Sequence, residues 1–126
     1  MTSRGFVLDS GALIALERGD DRVVSLTVSI RRAGTPLVTS AGVVAQVWRG
    51  GARKQVPLAF LLRRTEVIDL TDAQARVVGT LLGLSRTSDP VDAHIALIAH
   101  TRHWPVLTSD IDDLRAIDPT LELYPI

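Results

Sequence analysis

The chain has 126 residues, 46% of them hydrophobic, a mean hydropathy of +0.23 and no cysteine. That length supports a single domain, residues 1–126, around one core, and the hydrophobic content excludes a disordered chain. No apolar run approaches the roughly 20 residues of a bilayer span, and without thiols any metal falls to oxygen ligands and three histidines.

The formal net charge is zero, but its distribution is uneven. Residues 1–21 carry two basic and four acidic side chains, 22–65 carry eight basic and none acidic, and 66–126 carry four basic and ten acidic. Folded together, these put a basic wall beside an acidic pocket, suited to a polyanion whose backbone must meet a metal. Arg31, Arg32, Arg63 and Arg64 read equally well as solvated helix ends, where cations favour the dipole. Arg49, Arg53 and Lys54 follow a helix-like segment in a glycine-containing turn and are the better candidates for phosphate contacts. The lead Met1-Thr2-Ser3-Arg4-Gly5 enters an apolar run much shorter than the ~7–15-residue core of a signal peptide, so a soluble, cytoplasmic protein is expected.

In chain order, strand and helix signals alternate. Phe6-Val7-Leu8 predicts a first strand, Ser10 an N-cap, and Ala12 to Glu17 a short helix. Asp20 or Asp21 caps a helix through Ile30, with Gly34 as its stop. Leu37-Val38-Thr39 is a second strand, and Ser40 caps a helix from Ala41 to Trp48 that Gly50-Gly51 terminates. A helix from about Pro57 to Arg64 precedes a strand over Val67 to Leu70. Thr71 or Asp72 starts a helix through Leu84, and Asp89-Pro90 starts another to His100 or Arg102. Val106 to Thr108 is a strand, Asp112 to Ile117 a short helix, and Leu121 to Tyr124 a last strand. Strands separated by helices require crossovers, hence an α/β architecture of three layers, α/β/α, around a mainly parallel sheet.

The acidic residues have competing explanations. Asp9, at the end of the first strand, reads on its own as a helix cap. Asp89 reads best as the N-cap before proline, and Asp92 suits a first helical turn without any ligand. Capping accounts for one of Asp110, Asp112 and Asp113, but not for all three. Bringing Asp9, Asp92 and Asp110 to one sheet edge costs like-charge repulsion and raises their pKa values. The joint pattern therefore favours a carboxylate cage for a hard divalent cation. His94, His100 and His103 lack a third ligand on a common face and receive no catalytic role. The aromatic residues are too few for a base-stacking platform, and there is no phosphate-binding glycine loop, nucleophile elbow or dinucleotide fingerprint. The first two helices carry more apolar residues, from Leu13 to Ile30, than a small core consumes, which leaves some for an interface.

The runs Val7-Leu8-Asp9-Ser10-Gly11-Ala12-Leu13-Ile14-Ala15-Leu16, Asp92-Ala93-His94-Ile95-Ala96 and Val106-Leu107-Thr108-Ser109-Asp110-Ile111-Asp112-Asp113-Leu114 resemble the three acidic motifs of PIN-domain nucleases, more narrowly the VapC toxins of toxin–antitoxin pairs. The resemblance implies a metal-dependent endoribonuclease. Asp9, Asp92 and Asp110 would bind Mg²⁺ or Mn²⁺, Asp113 would be a fourth catalytic carboxylate, and Thr108 or Ser109 would support the water shell. It implies further an RNA substrate, a homodimer, and silencing by a small VapB-like antitoxin. One position departs from the pattern: the family usually has a glutamate where this chain has Gln46, which can still coordinate through its carbonyl or orient a metal-bound water but brings no charge and cannot act as a base. A single ion is therefore expected, with Asp89 as a possible substitute ligand. The alternative is a PIN-like binding or regulatory module that Gln46 has disarmed.

Overall fold

The computed structural model describes residues 4–50 and 53–126. Met1-Thr2-Ser3 of the N-terminal lead, and Gly51 of the expected glycine stop, lie outside them. Within the described residues the chain forms β1 (Phe6–Leu8), α1 (Ser10–Glu17), α2 (Asp21–Ala33), β2 (Leu37–Ser40) and α3 (Ala41–Val47). A 3₁₀ turn at Arg53–Gln55 leads into α4 (Val56–Leu62), β3 (Thr65–Ile68) and α5 (Asp72–Ser85). The last third is α6 (Pro90–Arg102), β4 (Val106–Thr108), α7 (Ile111–Ile117) and β5 (Leu123–Pro125).

All strand pairings are parallel, in the order β3-β2-β1-β4-β5. From β1 the chain steps outward to β2 and β3, then returns past β1 to β4 and β5. Right-handed crossovers taken in opposite directions put their helices on opposite faces of a sheet. Accordingly α1 packs with α2, α3 and α4, while α6 lies against β1 and β2 and packs with α5 and α7. The expected three-layer parallel fold is what forms.

The central strands are buried, with Val7, Leu8, Val38, Val106 and Leu107 at 3% exposure or less. Leu13 and Val43 close the core on one side and Ile95 and Leu114 on the other, all fully buried. Truncating one such Leu or Ile to Ala costs about 2–5 kcal/mol. A satellite cluster of Val78, Ala93, Ala96 and Ile117 fastens α5 and α7 to α6.

Most expected boundaries hold and a few shift. Asp9 rather than Ser10 is the N-cap of α1, and α2 runs three residues beyond Ile30 to the left-handed Gly34, whose φ is 67°. The strand expected over Val67 to Leu70 sits two residues earlier. Register with β2, Leu37 opposite Thr65 through Ser40 opposite Ile68, decides its extent, and Leu70 is left 41% exposed beyond it. The last strand starts at Leu123 rather than Leu121 for the same reason, pairing with Val106. Among the described residues no helix is long and apolar enough to cross a membrane.

Candidate active site

β1 and β4 are neighbours from which the chain departs in opposite directions. Such a reversal opens a crevice at the carboxyl ends of the strands, where open α/β sheets bind ligands. Asp9 follows the last residue of β1, and Asp110 comes two residues after the end of β4.

Asp9 is fully buried. Its Oδ1 accepts the Ser10 amide at 2.8 Å and its Oδ2 accepts the Thr108 hydroxyl at 2.9 Å. Burial pushes its carboxyl upward, the two hydrogen bonds oppose the rise, and the charges of Asp110 and Asp89 add to it. The Thr108 hydroxyl also accepts the Asp110 amide at 2.8 Å. Its single proton is committed to Asp9, so Thr108 joins β1 to the start of α7 rather than facing outward. Asp110 occupies the N-cap position of α7 without making a side-chain capping bond, which leaves its carboxylate uncommitted.

Asp92 enters from α6, in its first turn. Its pKa is pushed up to about 7, first by burial and then by the charges of Asp89, Asp9, Asp110 and Asp113. Every charge named is negative. Asp113, which the resemblance names as the fourth carboxylate, is among them and Asp112 is not. Asp89 caps α6, its Oδ1 accepting the amides of Val91 at 2.9 Å and Asp92 at 3.2 Å, so the capping account of this residue holds.

Ser109 is exposed and lies over the first turn of α1. A Cβ built on Gly11 would come within 2.1 Å of the Ser109 Oγ, which would have to rotate away, and would stand 3.0 and 3.2 Å from the Ser109 Cβ and amide nitrogen, so the β4–α7 turn packs tightly on this glycine. Gly11 is thus a structural member of the site that motif reading passes over. A Cβ on Gly42 would likewise stand 3.0 Å from Val91 Cγ2, so the start of α3 is pressed against the start of α6. Gln46 lies one turn beyond Gly42 on the same face. Its side chain is exposed and makes no hydrogen bond among the described residues.

His94, given no catalytic role from the sequence, is fully buried. α6 is enclosed by the sheet, α5 and α7, and five of its other residues are buried too. Ser40 Oγ lies 2.7 Å from His94 Nδ1, Gln74 Oε1 lies 2.7 Å from Nε2, and burial pushes the imidazole pKa down. A neutral ring donating from Nε2 to Gln74 and accepting the Ser40 hydroxyl satisfies all three groups.

The basic candidates are not in the crevice. Arg49, Arg53 and Lys54 are exposed at the far end of α3, and the Arg49 guanidinium bonds to the Trp48 carbonyl. Buried Gln55 accepts the Arg49 amide and donates to Glu17 at the other end of α1, so the cluster stands about one short helix, ~12 Å, from the carboxylates. The apolar surplus of the first two helices lies partly in a groove lined by Val24, Val28, Phe60 and Leu61, with Arg31 and Arg64 both over the Phe60 ring.

The donor set suits a hard cation in kind and charge: carboxylate oxygens, mutually repelling, at a ligand-binding edge. It is looser than the cage expected from sequence. Among the described residues no three His, Cys, Asp or Glu side chains stand close enough together to grip one ion.

Comparison with solved structures finds the same fold in toxin–antitoxin assemblies. VapBC2 from Rickettsia felis, bound to a DNA fragment from its promoter, matches at a TM-score of 0.72 and 20% identity, over 96% of this chain and 98% of that one. A toxin–antitoxin complex from Klebsiella pneumoniae matches at 0.71 and 18%, over 97% and 100%. FitAcB from Neisseria gonorrhoeae matches at 0.63 and 18%, over 94% and 96%. A search of curated proteins finds no match. The family model described as PIN domain matches residues 6–118, every strand but the last and every helix included, and the chain therefore belongs to the PIN-domain family.

Proposed function

We propose that this protein is a metal-dependent endoribonuclease, the toxin of a VapC-type toxin–antitoxin pair. What supports the reading is that the end of β1, the start of α6 and the β4–α7 turn bring Asp9, Asp92 and Asp110 near enough for burial and like charges to raise the Asp92 pKa to about 7. As they stand, the three are too far apart to grip one ion without drawing together. A cation held there would relieve that repulsion.

Asp9, Asp92 and Asp110 would hold the ion, and Asp113 stands by as the fourth carboxylate. Mg²⁺ or Mn²⁺, when bound, would supply a water of lowered pKa and a Lewis acid for the phosphoryl oxygen. Ser10 and Thr108 fix the Asp9 carboxylate. Thr108, with its proton committed, acts on the protein side of the site. Asp110 or Asp113 orients the attacking water, since Gln46 cannot take a proton. A single ion follows from the missing charge at Gln46. Arg49, Arg53 and Lys54 contact the RNA backbone outside the crevice. RNA as substrate, the homodimer and the cytoplasmic setting rest on the family resemblance. An antitoxin partner is supported by the fold shared with toxin–antitoxin complexes, and the groove between α2 and α4 is the apolar surface available to it.

The second reading is a binding module disarmed at Gln46, favoured by the exposure of that side chain and its lack of a hydrogen bond among the described residues. One experiment separates the two: cleavage of a structured RNA pool by the antitoxin-free protein with Mg²⁺, Mn²⁺ or EDTA, beside Asp9→Asn and Gln46→Glu. Metal-dependent cleavage that Asp9→Asn abolishes supports the nuclease. An inert wild type with an active Gln46→Glu supports the module.

A further inference from the structure

We propose that His94 is a positioning residue that locks the rotation of α6, and thereby sets where the Asp92 carboxylate stands, through a buried hydrogen-bonded spine from α3 to α5. The spine begins at the Gly42 amide, which donates to Ser40 Oγ at 3.0 Å. The same oxygen meets His94 Nδ1, and Nε2 meets Gln74 on α5, each at 2.7 Å. Three elements of the fold are thus tied through one imidazole ring, both of whose nitrogens are taken up by protein partners. The role rests on the metal-dependent reading of the site.

Two contacts fix the first turn of α6 against α3. Val91 closes on Gly42, whose missing side chain makes the room, and His94, three residues on and so on the same face, bonds to Ser40. Asp92 and His94 are two residues apart, about 200° around the helix axis. Any rotation that frees His94 from Ser40 therefore carries Asp92 through the same angle. At a side-chain radius of about 5–6 Å, a turn of roughly 10° moves the carboxylate by ~1 Å. A misplacement of that size costs on the order of 100-fold in a reaction that depends on geometry, and Mg²⁺ tolerates little departure from its octahedron. Packing alone does not require this chemistry. A leucine fills a buried helix position at least as well as histidine, and only the polar ring joins Ser40 to Gln74.

The test is calorimetric titration of the purified full chain with Mn²⁺ alone, each variant first shown by thermal melting to unfold cooperatively. Asp92→Asn is expected to lose most of the Mn²⁺ affinity, and His94→Leu about tenfold or more. Gln74→Ala, on the half-exposed side of α5, loses less, about threefold. His94→Asn, whose amide still reaches Ser40, recovers most of what leucine loses. Ile98→Val, a packing change on the same helix, binds as wild type does. If Asp92→Asn is weakened while folded His94→Leu is not, the metal reading stands and the positioning role is overturned. If His94→Leu does not fold, unchanged affinity in Gln74→Ala overturns it. An equal loss in Ile98→Val, or no gain from leucine to asparagine, reduces the effect to general loosening and also overturns it. Equal binding by wild type and Asp92→Asn defeats the metal reading itself, and the positioning role falls with it.

Discussion

Thr108 gives its hydroxyl proton to Asp9 across the β1–β4 boundary and takes the amide proton of Asp110 on the same oxygen, at 2.9 and 2.8 Å. One side chain thereby fixes a carboxylate on one strand and the backbone of the next on its neighbour. Thr108→Val preserves shape and strands both partners in a buried setting. Its cost is expected at about 1–3 kcal/mol in urea unfolding, since an unsatisfied buried group bears its full desolvation penalty. Thr108→Ser keeps the hydroxyl and is expected to lose under about 1 kcal/mol, the value of one methyl. Equal midpoints for the valine variant and wild type would show that the hydroxyl bears no weight.

Gly11→Ala sets helix propensity against sterics. Alanine in a helix gains up to about 1 kcal/mol over glycine. At this position its Cβ meets Ser109 Oγ at 2.1 Å, which rotation of the hydroxyl relieves, and Ser109 Cβ and N at 3.0 and 3.2 Å, which only a shift of a few tenths of an ångström in the turn that carries Asp110 relieves. The expected result is lower thermal stability and weaker Mn²⁺ binding, both restored in part by Ser109→Gly, which empties the contested space. A stabilised Gly11→Ala with unchanged Mn²⁺ affinity would refute the close approach as a constraint.

How far the site was legible depended on whether local chemistry or tertiary partners decide a position. Asp9, Asp89 and Asp110 were visible because strand ends, prolines and helix starts mark themselves in the sequence. The β3 boundary was not, because a short edge strand takes its ends from β2 rather than from its own apolar pattern. His94 reads as an ordinary helix residue until α5 and the end of β2 are folded against it, since its partners lie 54 and 20 residues away in sequence. Asp110 illustrates the converse: it stands where a cap belongs and makes no capping bond, which a sequence pattern does not reveal.

The basic cluster predicts a salt effect. If Arg49, Arg53 and Lys54 each meet a phosphate of single-stranded RNA, replacing all three with alanine should lower the slope of log K against log salt by roughly 2, at about 0.7 per contact. Binding weakens most at low salt. The measurement is RNA affinity of cleavage-deficient Asp9→Asn, with and without the triple change, between low and physiological salt. An unaltered slope assigns the phosphate contacts elsewhere.

Asp92 makes metal-free stability pH-dependent in a direction opposite to that of a salt-bridged acid. Its folded pKa, about 7, lies above the ordinary 3.8, so the native state holds the proton more tightly than the unfolded chain does. The stabilising contribution is full below about pH 4, declines as pH rises through the window between the two values, and is absent above about 7. Asp9, raised by burial, bends the curve the same way. In EDTA, Asp92→Asn should therefore be more stable than wild type at pH 8 and show a flatter slope between pH 4 and 7. Saturating Mn²⁺ should reverse the order at pH 8, because only wild type gains the full binding energy of the ion. An asparagine variant less stable than wild type at pH 8 in EDTA would mean that Asp92 is not held under repulsion, and the electrostatic case for a cation at this edge would fall.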